Sequence, residues 1–539
     1  MAGSNIPPGG PPPAMADVPP EGDEPRRTDE RIKLNLVKTV IALPLLDELN
    51  AERKRLKGKR RAKPQVYSVI IDLNLEYPEG RAGARAWVLG AIAKLIAEKA
   101  TPSIRDQQTA DEKRSTDNPQ YVFAKLEGNL IRELVLLDAS TPKALIPGRE
   151  TGRIHRAIYQ VWKDFEIFPL LFKSASTVKA DAARRAFSSE GRDIVWAVID
   201  SGIEATHVHF QAHENLQAVP PDWHHDFTGE NNPLVDGFGH GTHVAGIIAG
   251  EVPPGGFEDH PSIIAYSRAL KADGEQAGRD IEYDRVPLPS IAGVAPRAKL
   301  VSLKVLDKDG RGAVSNIIAA LGHIHRINNY GRYLRIHGVN LSVGYPFDPE
   351  WFACGQSQLC VEVDRLVRAG VVVVAAAGNS GYGTLSTSFT GLRTAGLMMT
   401  INDPGNAGFA ITVGSTHRDM PHIYGVSYFS SKGPTGDGRS KPDLVAPGEK
   451  ILSCAAGKMK EEIEAKVPTG VTYLEHSGTS MAAPHVSGVI AAFLSVRQEF
   501  IGQPERIKDI FTRNATDLGR ERYFQGHGLV DLMRAIQSV

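Results

Sequence analysis

The sequence predicts an α/β protein: a parallel sheet with helices on both faces, joined to a small N-terminal α+β unit. Three observations predict it. From about residue 170 onward, strand-type apolar runs alternate with helix-type runs, and parallel neighbours need such crossover helices. Runs such as DIVWAVID and GVVVVAAAG are apolar at nearly every position, as strands covered on both faces are. Between about 66 and 168, a strand, a helix and further strands follow one another without that regular alternation.

The elements follow in chain order. Twelve of the first 25 residues are Pro or Gly, so this segment cannot offset its ordering entropy by burial and is expected to be disordered. Leu36 to Leu46 is apolar but interrupted by Lys38 and Pro44, and reads as a short folded or docking segment. Arg53 to Lys63 (RKRLKGKRRAK) is basic without interleaved aromatics, and reads as a solvated linker rather than a nucleic-acid patch or a processing site. VYSVIIDLNL reads as a strand and ARAWVLGAIAKLIAEKA as a helix bounded by Gly83 and Pro102. Pro102 to Asn118 reads as a loop. YVFAKL and IRELVLLD read as two strands around a turn at Glu127-Gly128-Asn129, and AIYQVWKDFEIFPLL as another strand.

Farther on, DIVWAVID, KLVSLKVL, GVNLSVG and GVVVVAAAG read as strands, and HGTHVAGIIAG, AVSNIIAALGHIHRINN and VEVDRLVRAG as helices. The chain thus divides into a tail and basic linker (1–65), a small α+β domain (66–168) and a large α/β domain (169–539).

Composition narrows the function. Lys+Arg and Asp+Glu are equal at 62 each, so no global field attracts nucleic acid or anionic membrane. No run reaches the roughly 18 apolar residues of a membrane span. The N-terminus lacks the basic-then-apolar layout of a secretory signal, and a cytoplasmic location is expected. Of the three cysteines, Cys354 and Cys360 are spaced so that they could bridge in an oxidising compartment. Free thiols are the expectation in a reducing one.

Open parallel sheets gather chemistry at the carboxyl ends of their strands, and four polar residues fall there or at a helix start. Asp200 ends the buried run AVID, where an unpaired carboxylate is costly. His240 lies between Gly239 and Gly241 in DGFGHGTHVAG, while His243, one turn on, reads as structural. Ser480, in HSGTSMAAPHVSG, opens an apolar helix at the positive end of its dipole. Asn379 tips VVVVAAAGN and could donate to a forming oxyanion. Taken singly, each has a plainer reading: a turn aspartate, a core histidine, an N-cap serine, a turn asparagine.

Taken together, the segments VIDSGI, HGTHVAG, GVAP (Gly293 to Pro296), AAAGN and GTSMAAPHVSG resemble the subtilisin-like serine proteases over about residues 175 to 539. The order Asp, His, Ser agrees with that family. The resemblance implies a triad of Asp200, His240 and Ser480, with Asn379 as oxyanion donor. It further implies that Ser342, Val343 and Gly344 bind substrate backbone as an added strand, opposite a wall formed by Gly310, Arg311 and Gly312. Tyr345 stands where the family often has a second glycine, and is expected to narrow the cleft or cover part of it.

The implied activity is endopeptidase action on protein or peptide substrates through an acyl-enzyme, with no redox or organic cofactor. A peptide-binding relative that does not cut is the alternative. Many family members bind calcium in the region between the His240 helix and GVAP. The ligand pattern is not matched here, so the metal assignment stays open, and Glu258, Asp259, Asp280 and Asp284 read as solvated loop charges. Residues 66–168 resemble the small propeptides of the family. They are expected to act as an intramolecular inhibitor, with extended Phe165 to Ser176 lying in the cleft. An accessory domain is the plainer reading.

Overall fold

A computed structural model describes residues 37–58, 63–112, 119–140, 156–164, 173–253, 263–270, 281–288, 290–348, 350, 353–387, 391–467 and 470–539. The chain forms two compact units, one through Ile167 and one from Phe168. The Pro/Gly-rich tail, residues 59–62 of the basic run, and Phe165 to Phe172 lie outside the described residues.

In the first unit, α1 (Leu43–Gly58) precedes β1 (Val66–Leu73), α2 (Gly80–Lys99), β2 (Thr109–Asp111), β3 (Tyr121–Glu127), α3 (Gly128–Ser140) and β4 (Ile158–Lys163). β1 alternates as its sequence demands, burying Tyr67, Val69, Ile71 and Leu73. The sheet order is β2-β3-β1-β4 with every neighbour antiparallel, which is the split β-α-β arrangement.

Several expectations for this unit need correction. IRELVLLD is helical, not a strand: Leu130, Ile131, Leu134 and Val135 are buried at helical spacing. Periodicity alone cannot separate a short apolar run of this kind. The expected turn is instead a direct passage from β3 into α3. The apolar stretch through Leu46 is folded as expected, but the basic run through Gly58 continues the same helix rather than forming a linker, because Leu45, Leu46 and Leu49, with Val37, Val40 and Ile41, complete the apolar core of this unit. The expected loop after α2 contains a 3₁₀ helix (Pro102–Gln107) and β2.

The second unit opens with α4 (Lys173–Thr177) and α5 (Ala180–Phe187). Residues 173–176, expected to be extended, are therefore helical, with Ser174 buried. Next come β5 (Val195–Asp200), β6 (His225–Asp226), α6 (His240–Ile248), β7 (Glu251–Val252), β8 (Ile263–Leu270), β9 (Ile281–Leu288), β10 (Ile291–Ala292) and β11 (Lys299–Lys304). Then follow α7 (Val314–Ile327), β12 (Gly338–Leu341), α8 (Gln358–Arg368), β13 (Val372–Ala376), β14 (Tyr382–Thr387) and β15 (Gly391–Gly396). After them come β16 (Ile411–His417), β17 (Leu444–Glu449), β18 (Ile451–Cys454), β19 (Tyr473–His476) and α9 (Thr479–Val496).

Seven strands form a parallel sheet in the order β17-β16-β13-β12-β5-β11-β6. Alternation along β5 separates two apolar layers. Trp196 and Val198 face the layer of α5, α6 and α9, whereas Ala197 and Ile199 face that of α7 and α8. α9 is long and apolar enough to cross a membrane by composition, against expectation, but 83% of it is buried at the centre of this unit. β8 and β9 form a hairpin within the segment expected to be an acidic loop, with Asp284 exposed opposite Ser267. Glu258, Asp259 and Asp280 lie outside the described residues.

Candidate active site

Three neighbouring strands deliver three polar groups at their carboxyl ends. β5 ends at Asp200, β12 runs into Ser342–Gly344, and β13 leads to Asn379. Asp200 is fully buried, and its Oδ1 accepts from the Ser201 N–H at 2.8 Å and from His240 Nδ1 at 2.8 Å. A carboxylate can only accept, so Nδ1 carries the proton and Nε2 is left as the base. Burial pushes the His240 pKa down, but the charge and hydrogen bond of Asp200, with the charge of Asp236, outweigh it and hold the pKa above its ordinary value.

The histidine is placed by a tight entry into α6. Gly239 has φ +104, and a Cβ there would lie 2.1 Å from the Ala456 carbonyl oxygen, so only glycine fits. Buried Asp236 closes this entry by accepting from the Gly239 N–H (2.7 Å), the Thr242 N–H (2.8 Å) and the Thr242 hydroxyl (2.6 Å). Sequence reasoning passed over Asp236, although an acid four residues before the histidine fits an anchored helix start. His243 is buried in the core with Nε2 3.2 Å from the Leu474 carbonyl oxygen, as its structural reading expected.

Ser480 is the second residue of α9, so its N–H is among the helix N–H groups without an intrahelical acceptor. Gly478, the N-cap, has no side chain to cap the helix. Asn379 does so from the end of β13, its Oδ1 accepting from the Thr479 N–H (2.9 Å) and the Thr479 hydroxyl (3.0 Å). With Oδ1 committed, Nδ2 is the free donor. A Cβ built on Gly478 would lie 3.4 Å from Asn379 Nδ2 and 3.7 Å from the Ser480 nitrogen. Both donors therefore border one small space beside the serine, as an oxyanion site requires.

Pro484 adds a second constraint. It has no N–H, so the Ser480 carbonyl loses the partner that an uninterrupted helix would provide. The Ser342 hydroxyl fills the gap, donating to that carbonyl at 2.9 Å. Ser342 is held by the Asn340 amide (2.8 Å), and Asn340 by the Ser487 hydroxyl (2.9 Å). This buried chain joins the nucleophile's peptide to the strand edge. Asn340 and Ser487 were not foreseen, because their partners lie 147 positions apart. The Ser480 hydroxyl itself donates to the Ser342 carbonyl at 3.0 Å, and among the described residues it makes no hydrogen bond to His240.

Of the implied substrate edges, Ser342, Val343 and Gly344 lie beyond the paired part of β12. Gly310 (φ +73) turns against the Phe238 ring, and Gly312 sits over the Val305 carbonyl. Tyr345 pairs its backbone with Asp403, and its ring packs on the layer of α7 and α8 near Ser357, so it braces the edge rather than covering the cleft. Among the described residues no three His, Cys, Asp or Glu side chains gather as a metal site would need. All three cysteines are free and buried, and burial pushes the Cys454 thiol pKa well up, away from the reactive thiolate.

Comparison with known proteins identifies relatives of the chain. A profile of the subtilase family matches residues 191–528, more than half of the chain. Pyrolysin of Pyrococcus furiosus is 33% identical over 335 residues, covering 56% of this chain and 21% of pyrolysin. Subtilisin E of Bacillus subtilis is 30% identical over 347 residues, covering 64% of this chain and 66% of that protein. Serine protease AprX of the same species is 27% identical over 368 residues, covering 67% and 70%. The chain thus spans about a fifth of pyrolysin and just under two thirds of subtilisin E.

Proposed function

The chain belongs to the subtilase family, and from that premise we propose that it is a serine endopeptidase acting on proteins through an acyl-enzyme on Ser480. The observation that carries the proposal is the convergence of Asn379 Nδ2 and the Ser480 N–H beside Gly478, together with a histidine already paired with a buried aspartate. His240 Nε2 takes the Ser480 proton as Oγ attacks the scissile carbonyl, and returns it to the leaving amine. Asp200 holds the tautomer and stabilises the imidazolium. The two donors bind the oxyanion, and water then cleaves the acyl-enzyme by the same proton relay.

In this scheme Ser480 Oγ turns from the Ser342 carbonyl toward His240, and a substrate N–H can take the carbonyl it leaves. No redox or organic cofactor enters any step. The resting contact of Ser480 is also what a peptide-binding, non-cleaving relative would show, and one assay separates the two readings. A fluorophosphonate labels an active serine, and Ser480→Ala should lose both the label and peptide hydrolysis while its unfolding temperature is kept. Hydrolysis by the alanine variant at the parent's rate would remove Ser480 from the mechanism.

The first unit is proposed to act as an intramolecular inhibitor. Its split β-α-β order and its place before Asp200 support this. An inhibitory fragment must begin at about residue 37 rather than 66, since α1 supplies part of the core. Full-length protein less active than a chain beginning at Lys173, and inhibition of that chain by the added fragment, would bear the proposal out. Equal activities and no inhibition leave the unit as an accessory domain.

A further inference from the structure

Lys432 is a buried charge that the reaction scheme leaves unused. Its exposure is 4%, and burial alone lowers its pKa, with no carboxylate among the described residues pairing with it. The ammonium donates to the Gly381 carbonyl at 2.8 Å and to the Tyr428 carbonyl at 3.1 Å, and lies 5.2 Å from the Phe524 ring centroid. Carbonyl dipoles and an aromatic face offset part of the cost of burying a cation. An apolar residue in its place would avoid that cost.

The location points to what the charge does. Gly381 lies two residues past Asn379, and the Lys432 segment laces this loop at each step. The Ser431 N–H donates to the Gly378 carbonyl at 2.9 Å. The Ser380 N–H donates to the Ser431 hydroxyl at 3.1 Å, and the Gly381 N–H to the Phe429 carbonyl at 2.9 Å. Contact is so close that a Cβ on Gly381 would lie 1.9 Å from the Ser430 carbonyl oxygen. The charged bond from Lys432 is the strongest of these ties in kind.

We propose that Lys432 is a positioning residue for the oxyanion donor. Its ammonium fixes the loop that carries Asn379. A preorganised group of this sort acts on the transition state and leaves ground-state binding alone. The inference rests on the peptidase reading.

A double-mutant cycle in the full-length protein tests it, with steady-state kinetics on a chromogenic peptide. Lys432→Met should lower kcat about tenfold with KM unchanged. In an Asn379→Ala background the same substitution should lower kcat less than about twofold, because the group through which it acts is gone. Should Lys432→Met not fold, Lys432→Gln, which can still donate to one carbonyl, carries the same cycle with about a threefold first step. Equal losses in both backgrounds, or a rise in KM alone, overturn the inference while the peptidase reading stands. A parent protein that cleaves no peptide and takes no fluorophosphonate, both at full length and as the chain beginning at Lys173, overturns both.

Discussion

Replacing Thr479 by valine isolates the orientation of the oxyanion donor from its presence. The Thr479 hydroxyl donates to Asn379 Oδ1 at 3.0 Å and accepts from the Gly378 N–H at 3.1 Å. Valine keeps the shape and removes both bonds. The Thr479 backbone N–H, 2.9 Å from Oδ1, remains as the second anchor. Losing one neutral hydrogen bond is worth about 1 kcal/mol, so the amide's preference for pointing Nδ2 into the site should weaken about fivefold. The expected result is a kcat two- to tenfold lower, roughly, with KM unchanged, because the oxyanion bond forms in the transition state. That is well short of the ~100- to 1,000-fold loss expected for removing the asparagine altogether. The Gly378 N–H also loses its acceptor, and stability should fall by about 1–2 kcal/mol. Peptide hydrolysis and thermal unfolding of Thr479→Val beside Asn379→Ala measure both effects. A kcat loss equal to that of Asn379→Ala, or an effect confined to KM, would refute the reasoning.

Two further outcomes follow from charge. His240 must be neutral to act as base, and its pKa is held above 6.5, so the acid limb of kcat/KM should fall above pH 6.5. The stability this pair contributes is full below the unfolded value and is lost as pH rises through the folded one. Asp200→Asn should flatten that dependence and cut kcat by about ten-thousand-fold; an unmoved acid limb would contradict it. Asp443 takes Lys441 at 2.5 Å and Lys508 at 3.1 Å, and burial already pushes the Lys441 pKa down to about 7. Asp443→Asn strands these cations and should destabilise the protein by about 3–5 kcal/mol in denaturant titrations; a change under about 1 kcal/mol would show that the cluster relaxes.

Much of the site was legible in the sequence because each piece is local. HGTHVAG and GTSMAAPHVSG carry a side chain, its glycine approach and its helix within a dozen residues, and β5 and β13 announce themselves as runs buried on both faces. The same locality misled at IRELVLLD and in the basic run. Four consecutive apolar residues fit either period, and α1 is a helix chiefly because a core formed elsewhere accepts Leu45, Leu46 and Leu49.

By itself, then, the sequence determined which residues could do the chemistry and the alternation that builds the sheet. It could not determine who holds them. Asn379 caps a helix 100 positions away, Ser342 supplies the bond that Pro484 denies to Ser480, and Lys432 clasps Gly381 across 51 positions. Hydrogen bonds are short and directional, whereas a side chain's sequence position carries no record of distant neighbours. Only the closed tertiary structure, by removing water from these groups, decided which partner each must take.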